Sequence, residues 1–281
     1  MKTGIIDVGG GLRGVYGAGV LDRCLDNGIS FDVCIGVSSG SANVTAFVAA
    51  QKGRNHTFYT DYPFRKEYMS VRNFLKTGSY LNLDYIYGTL SNSDGENPLN
   101  FEKFKSSASD VFVVSTNAQT GEAKYFTKDD FLSDDYSVLK ASCAIPGVCK
   151  PVKIGAQQYF DGALSDAVPV EKAFSEGCDR VVLILNKPRD LTALTKNDFP
   201  LSKIIEKNYP AAARALRAHA LEYNLGVELA KKNEKSGRLL IVSPDSVGEM
   251  KTLSKNRAAL ESLYEKGYSD ASVIPDFIKS R

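Results

Sequence analysis

Long apolar runs, net charge, paired cysteines and histidine are all scarce in this 281-residue sequence. Each shortage closes a route to function. No apolar run approaches the roughly 20 residues that a membrane-spanning helix needs. The opening MKTGIIDVGG carries a short apolar stretch that ends in glycines without an A-x-A cleavage site, so it reads as a first strand and not as a signal peptide. Thirty-five basic residues against 33 acidic ones leave a net charge of +2, which gives nucleic acid no electrostatic footprint. The five cysteines are odd in number. Cys24, Cys34 and Cys178 fall in apolar helix or strand patterns, where a free thiol behaves as a small hydrophobe. Cys143 and Cys149 lack the second Cys/His pair that a zinc site requires. These features predict a reduced, cytoplasmic setting with no metal and no cofactor. Histidine occurs twice, as His56 and His219, which limits the bases available to any nucleophile.

What is present is enough apolar residue, 43%, for a substantial core. Length alone permits one large α/β domain or two small ones. Short apolar runs read as strands at Gly4–Val8, Phe31–Gly36, Val111–Ser115, Ala123–Phe126, Val148–Ile154, Arg180–Leu185 and Leu239–Val242. Helical patterns fall between them at Val15–Asn27, Ser39–Gln51, Pro169–Glu176, Ala211–Lys232 and Leu253–Lys266. This alternation predicts an α/β sheet with helices on its faces. Two stretches break it without linker composition: His56–Leu90, dense in Tyr and Phe, and Lys187–Tyr209. Both read as insertions. The expectation is a single domain over 1–281, with an aromatic insertion at about 56–97 and a helical C-terminal extension at about 245–281.

Three local patterns carry chemistry. Gly9-Gly10-Gly11-Leu12-Arg13-Gly14 follows a strand and opens a helix. As G-x-G-x-x-G it matches a dinucleotide fingerprint, but the acid that should end the next strand is missing; Asp32 stands at that strand's start. The alternative is an oxyanion hole, in which glycine backbone amides face a bound oxygen at a helix N-terminus. A plain tight turn also fits the loop. Gly36-Val37-Ser38-Ser39-Gly40 is G-x-S-x-G between an apolar strand and a small-residue helix, the setting in which a serine stands exposed on a sharp turn. Ser38 is the candidate nucleophile.

A serine hydroxyl needs a proton acceptor. His219 lies inside a long amphipathic helix and His56 among polar and aromatic residues just after the elbow helix, whereas hydrolase histidines usually sit on a late loop. A carboxylate is the remaining choice. Asp161 in YFDGALSDAV is placed at a turn beside the sheet, and Asp166 five residues on is chemically equivalent. An aspartate serves as base if it is held within hydrogen-bond reach and partly desolvated.

GGGLRG, GVSSGS and YFDGALSDAVPV, in that order and spacing, resemble the patatin-like phospholipase family, whose pattern is G-G-G-x-R/K-G, G-x-S-x-G and D-G-G/A. GVYGAGVLDRCLDNGISFD, LKASCAIPGVCKPVKI and VEKAFSEGCDRVVLIL are also similar to bacterial members, and NRAALESLYEKGYSDA is similar to the tail of one bacterial subgroup. The resemblance implies a three-layer α/β/α fold with a mostly parallel central sheet. It implies a cofactor-free serine hydrolase of lipid carboxylic esters, of phospholipase A or lipid acyl hydrolase type, working through an acyl-enzyme. Ser38 would be the nucleophile and Asp161 the base. The amides of Gly10, Gly11, Leu12 and Arg13 would form the oxyanion hole. A short-chain esterase, an acyltransferase and a non-catalytic lipid binder are the alternatives. Ser39 stands where the family commonly has alanine, and the stretch 56–97 matches the family pattern least. Its aromatics, among them Phe58, Tyr59, Tyr68 and Tyr87, suit either a cap packed on the sheet or the wall of an acyl channel. The expected partner is a lipid or other acyl ester, with at most weak peripheral membrane contact. Lys231, Lys232, Lys235 and Arg238 complement a helix C-terminus without requiring a membrane.

Overall fold

The computed structural model describes residues 1–194 and 198–279. Eight strands form one sheet: β1 (Thr3–Asp7), β2 (Val33–Val37), β3 (Asp110–Asn117), β4 (Ala123–Phe126), β5 (Val152–Ile154), β6 (Gln157–Asp161), β7 (Arg180–Ile184) and β8 (Leu239–Val242). β1, β2, β3, β7 and β8 are parallel, while β4 and β6 run antiparallel to β3 and β5 antiparallel to β6. The helices are α1 (Val15–Asp26), α2 (Ser39–Val48), α3 (Arg54–Thr60), α4 (Val71–Thr77), α5 (Phe101–Ser106), α6 (Ser137–Ser142), α7 (Val170–Ser175), α8 (Asp198–Glu206), α9 (Pro210–Lys235), α10 (Arg257–Asp270) and α11 (Ile274–Lys279).

Side chains alternate across a strand, so consecutive residues feed opposite layers. Ile5, Cys34 and Val182 pack with α1, α2 and α10, whereas Ile6, Ile35 and Leu183 pack with α7 and α9. Burial on both faces explains why TGIID, VCIGV and RVVLI read as apolar runs without alternation. A smaller cluster joins Phe160 of β6 to Ile205 of α8 and Ala212, Ala213 and Leu216 of α9. The result is the three-layer α/β/α arrangement with a mostly parallel sheet that the sequence predicts.

Some boundaries differ. The strand expected over Val148–Ile154 is limited to β5, because Pro151 has no N–H for a ladder and Cys149 donates to Ile145 O in a turn (2.8 Å). β6 was not resolved as a separate strand in the sequence, where Gln157 and Gln158 hide its start. α10 begins four residues later than expected, since Asn256 caps it by accepting from the Ala259 amide (3.1 Å). The stretch Lys187–Tyr209 holds α8, and its residues 195–197 lie outside the described residues.

α10 is locked onto the sheet's helical layer through α1. Gly19 of α1 lies against the backbone of α10, where a Cβ would stand 2.2 Å from Tyr264 O; on Gly267 one would stand 2.1 Å from Tyr16 O. Tyr16 donates to Asp270 (2.8 Å) and Tyr264 to Asp22 (2.7 Å), crossing the same contact in both directions. Gly267→Ala is therefore expected to cost about 1–3 kcal/mol by overpacking. Thermal unfolding should show this as a Tm about 2–10 °C lower.

Candidate active site

β3 brings the two halves of the site together. Val114 pairs with Val37 on one edge and Tyr125 on the other, and Ser115 pairs with Asp161 and Lys124 in the same way. β2 and β6 therefore follow one another along a single edge of β3, approaching from opposite directions. The chain leaves β2 at Ser38 and reaches the end of β6 at Asp161, so the two side chains meet. Ser38 Oγ donates to Asp161 Oδ2 at 2.7 Å.

The turn at Ser38 is strained. Its φ is 54° and its ψ −132°, a left-handed conformation that costs a non-glycine residue about 1–3 kcal/mol. The surroundings hold it there. Ser38 N donates to Ser142 Oγ (3.0 Å), which donates to Val114 O (2.6 Å), and Ser38 O accepts from Ser41 Oγ (2.6 Å). The flanking glycine is set by crowding: a Cβ on Gly40 would lie 2.2 Å from Asp7 O. α2 starts at Ser39, so its N-terminal positive potential falls beside Ser38 Oγ.

Asp161 is buried, at 3% exposure, and no cation pairs with it among the described residues. Burial pushes its carboxyl up to about 6, against the bonds from Ser38 and from Ala163 N (2.9 Å) and the milder influence of His219. Its backbone is pinned by Thr116 Oγ1, which donates to Asp161 O (2.8 Å), and by its own amide donating to Ala144 O (3.0 Å).

The glycine loop sits opposite. Gly9, Gly10 and Gly11 have φ of 66°, 133° and 62°, which glycine adopts without steric cost. The amides of Gly10 and Gly11 donate to no acceptor among the described residues, and neither does that of Ser39. Leu12 is a correction: its amide donates to Thr252 O at 2.7 Å, so it is withdrawn from the donors the resemblance implies. The Arg13 guanidinium turns back onto Gly10 O (3.5 Å) and Thr252 Oγ1 (3.4 Å), and burial lowers its pKa. Asp32, the acid of the nucleotide reading, accepts from Thr3 N (2.6 Å) at the start of β1, the end of the sheet away from the loop.

A buried polar network braces the loop. Asp7, fully buried at the end of β1, accepts from Gly9 N (2.9 Å), Asn186 Nδ2 (2.7 Å) and Asn43 Nδ2 (2.7 Å). Asn186 also accepts from Gly17 N (2.8 Å) and donates to Gly9 O (3.0 Å). Asn43 donates to Gly14 O (2.8 Å) and accepts from Tyr59 OH (3.1 Å). Burial raises the Asp7 pKa even so.

Two cavities meet at Ser38. One is narrow and apolar, about 50 Å³, walled by Phe58, Tyr59, Tyr68, Leu81, Leu83 and Tyr87. The aromatic insertion is thus both cap and wall, since these residues are buried in the core as well. The other cavity, about 300 Å³, is lined by Arg13, Asp161, Lys187, Asp198, His219 and Tyr223 among others. Gly11, Ser38 and Ile145 border both.

The remaining candidates fall elsewhere. His56 Nε2 lies 2.6 Å from Glu261 Oε2 and its ring packs edge-on to Tyr264, in the contact between α3 and α10. His219 faces the larger cavity with Nδ1 3.3 Å from Asp198 Oδ2, but Ser38 bonds to Asp161. Asp166 accepts from the Tyr125 phenol and borders a separate recess. All five cysteines are buried and free. No helix among the described residues is long and apolar enough to cross a membrane.

The family described as patatin-like phospholipase matches residues 8–174, which contain the glycine loop, the elbow and Asp161. The chain belongs to that family. A domain of unknown function (DUF6363) matches residues 209–274, the region of α9, β8 and α10 in this patatin-like chain. An uncharacterized protein of Escherichia coli strain K12, YjjU, is 28% identical over 197 residues, covering 68% of this chain and 53% of its own length. The chain thus spans about half the length of that relative. The crystal structure of VipD from Legionella pneumophila shares the fold, with a TM-score of 0.51 and 15% identity over 98% of this chain and 67% of that one.

Sequence reading of this patatin-like chain missed Asp7, Asn43, Asn186 and Ser142. Asp7 had a signal: an acid ending an apolar strand directly before a glycine loop is buried and must be answered by donors. Asn186, a polar residue closing the run VVLIL, carries the same signal. Asp7→Ala would strand three N–H donors at about 1–3 kcal/mol each. Urea unfolding is expected to show a loss of at least about 3 kcal/mol. A loss below 1 kcal/mol would mean that the network does not brace the loop.

Proposed function

We propose that the chain hydrolyses carboxylic esters of lipids through an acyl-enzyme on Ser38, with Asp161 as general base, and that residues 1–281 act as one domain. The reading is carried by the 2.7 Å bond from Ser38 Oγ to a desolvated carboxylate at the junction of an apolar and a polar cavity. As Ser38 Oγ bonds to the acyl carbon, its proton passes to Asp161 Oδ2 and the carbonyl π pair moves onto oxygen. The amides of Gly10, Gly11 and Arg13, with that of Ser39 and the N-terminus of α2, support that negative oxygen. Collapse breaks the bond to the leaving alkoxide, which takes the proton from Asp161. Water then adds to the acyl-enzyme, giving its proton to Asp161, and a second collapse frees the acid and returns the proton to Ser38.

The size of the apolar cavity supports a narrower reading, a short acyl group. About 50 Å³ is a third of the roughly 150 Å³ that accommodates a benzene molecule, so long chains require movement of Tyr68, Leu81 or Leu83. A series of p-nitrophenyl esters should therefore peak at short chains.

A fluorophosphonate probe should label the wild type and leave Ser38→Ala unlabelled; a labelled Ser38→Ala would overturn the assignment. Asp161→Asn is expected to lower kcat/KM about 100- to 10,000-fold, while His219→Ala keeps Ser38 reactive. Since the base must be ionised, kcat/KM of the wild type should fall about tenfold per pH unit below about 6 and level off above.

The same raised pKa predicts a stability effect of opposite sign. Below the unfolded pKa of about 3.9 the carboxyl is protonated in both states and costs nothing. As pH rises through about 6 the folded state must hold a buried charge, so stability falls. Asp161→Asn should thus raise Tm at neutral pH, by up to about 3 kcal/mol of stability, and make no difference at pH 4.

A further inference from the structure

The narrow cavity beside Ser38 has one charge in its otherwise apolar wall. Arg54, the first residue of α3, lines it and is only 8% exposed. No Asp or Glu lines this cavity, and no carboxylate forms an ion pair with Arg54 among the described residues. Burial lowers its pKa only to about 10, so the guanidinium stays charged at neutral pH. Its hydrogen bonds both leave from Nη2, to Ser91 Oγ (2.9 Å) and to Asn97 O (3.2 Å). Ser91 Oγ in turn donates to Ile86 O (2.8 Å), which holds the guanidinium in place. Nε is buried without an acceptor, and the centre of the Phe58 ring lies 4.5 Å from Cζ. A second buried polar atom without a partner, Ser39 Oγ, belongs to a residue that lines the same cavity. Neutral groups and a ring face leave a buried cation costly until an anion meets it.

We propose that Arg54 selects the acyl group, its guanidinium holding a terminal carboxylate, so that the substrate is a half-ester of a short dicarboxylic acid. The inference rests on the acyl-enzyme reading at Ser38 and names the acyl class that this site takes. Ser38 and Arg54 border one cavity, so an acyl group bonded to Ser38 is enclosed with the guanidinium. Its methylenes meet Phe58, Tyr59 and Leu83, and its far oxygens meet the charge. At about 50 Å³ the space takes few carbons, which keeps the chain end close to Arg54. A plain alkanoyl group would leave the buried donors unanswered, whereas a carboxylate supplies both charge and acceptors. Asp161 lines the larger cavity and not this one, so the base and the substrate anion lie in separate recesses. Short length and a carboxyl end are compatible with a lipid ester. Oxidative scission of a double bond near the carbonyl of a lipid chain leaves an acyl group of this kind.

The test compares glycerol 1-glutarate with glycerol 1-pentanoate, which share the alcohol and a five-carbon acyl chain. In the wild type kcat/KM should be about 10- to 100-fold higher for the glutarate ester, the size of one charge-assisted hydrogen bond. In Arg54→Gln the ratio of the two values should fall by a similar factor, and Arg54→Lys should restore part of it. Arg54 also ties α3 to Ser91 and Asn97, so one arm uses the wild type alone and does not depend on a folded variant. There, free glutarate should slow labelling of Ser38 by the fluorophosphonate, and free pentanoate at the same concentration should not. A wild type that takes the probe yet shows no preference for the glutarate ester overturns the acyl class and leaves the nucleophile standing. A ratio unchanged in an Arg54→Gln protein that still labels overturns the role of Arg54. Protection by glutarate that persists in Arg54→Gln places the anion in the larger cavity and overturns the proposal too. Failure of the wild type to take the probe at Ser38 overturns the hydrolytic reading, and the acyl class with it.

Discussion

The site depends on Asp7, a buried carboxylate that no cation pairs with among the described residues. Asp7 ends β1 in a fully buried position, and its charge is met by a backbone amide and two asparagine side chains. Those donors come from the glycine loop, from α2 and from the end of β7, so the cost of desolvating Asp7 is offset only when all three are in place. Gly40 packs its backbone on Asp7 O, which ties the elbow to the same residue. The loop amides, the elbow and the floor of the larger cavity are thus parts of one hydrogen-bonded unit.

A second constraint acts through β3. The strained backbone at Ser38 is stable because Ser142 and Ser41 hold its amide and carbonyl, and because Val37 is anchored in the ladder one residue earlier. Asp161 is anchored in the ladder directly. Its burial does two opposed things: it raises the carboxyl pKa, which suits the general-base role proposed for it, and it destabilises the fold whenever that carboxyl is ionised. Function and stability pull against each other at a single atom pair.

Much of this was legible in the chain. β4 matches its expected bounds, and α1 and α2 start where expected, because strand runs and helix caps are local signals. Ser38 and Asp161 were marked by glycines that the backbone requires. What the sequence could not display was non-local. The shared edge of β3 comes from pairing register, which no single segment encodes. Leu12 belongs to the glycine loop in sequence, yet Thr252, some 240 residues on, takes its amide. β6 opens with two glutamines, and its strand character comes from pairing with β3 and β5 instead of from its own composition. His219 reaches the cavity that Ser38 borders only because α9 packs across the sheet.

The end-to-end meeting of β2 and β6 on β3 has a mechanical consequence. The spacing of Ser38 and Asp161 is measured out by one peptide unit of a central strand, between Val114 and Ser115, and not by any loop. Loops drift and lengthen as families diverge, whereas a step along a buried strand cannot change without turning every neighbour to the other face. The cavity-lining residues of the stretch 56–97, and Lys187, Asp198 and Leu201 beside the larger cavity, are therefore free to be replaced. The ruler that sets the Ser38–Asp161 hydrogen bond stays untouched.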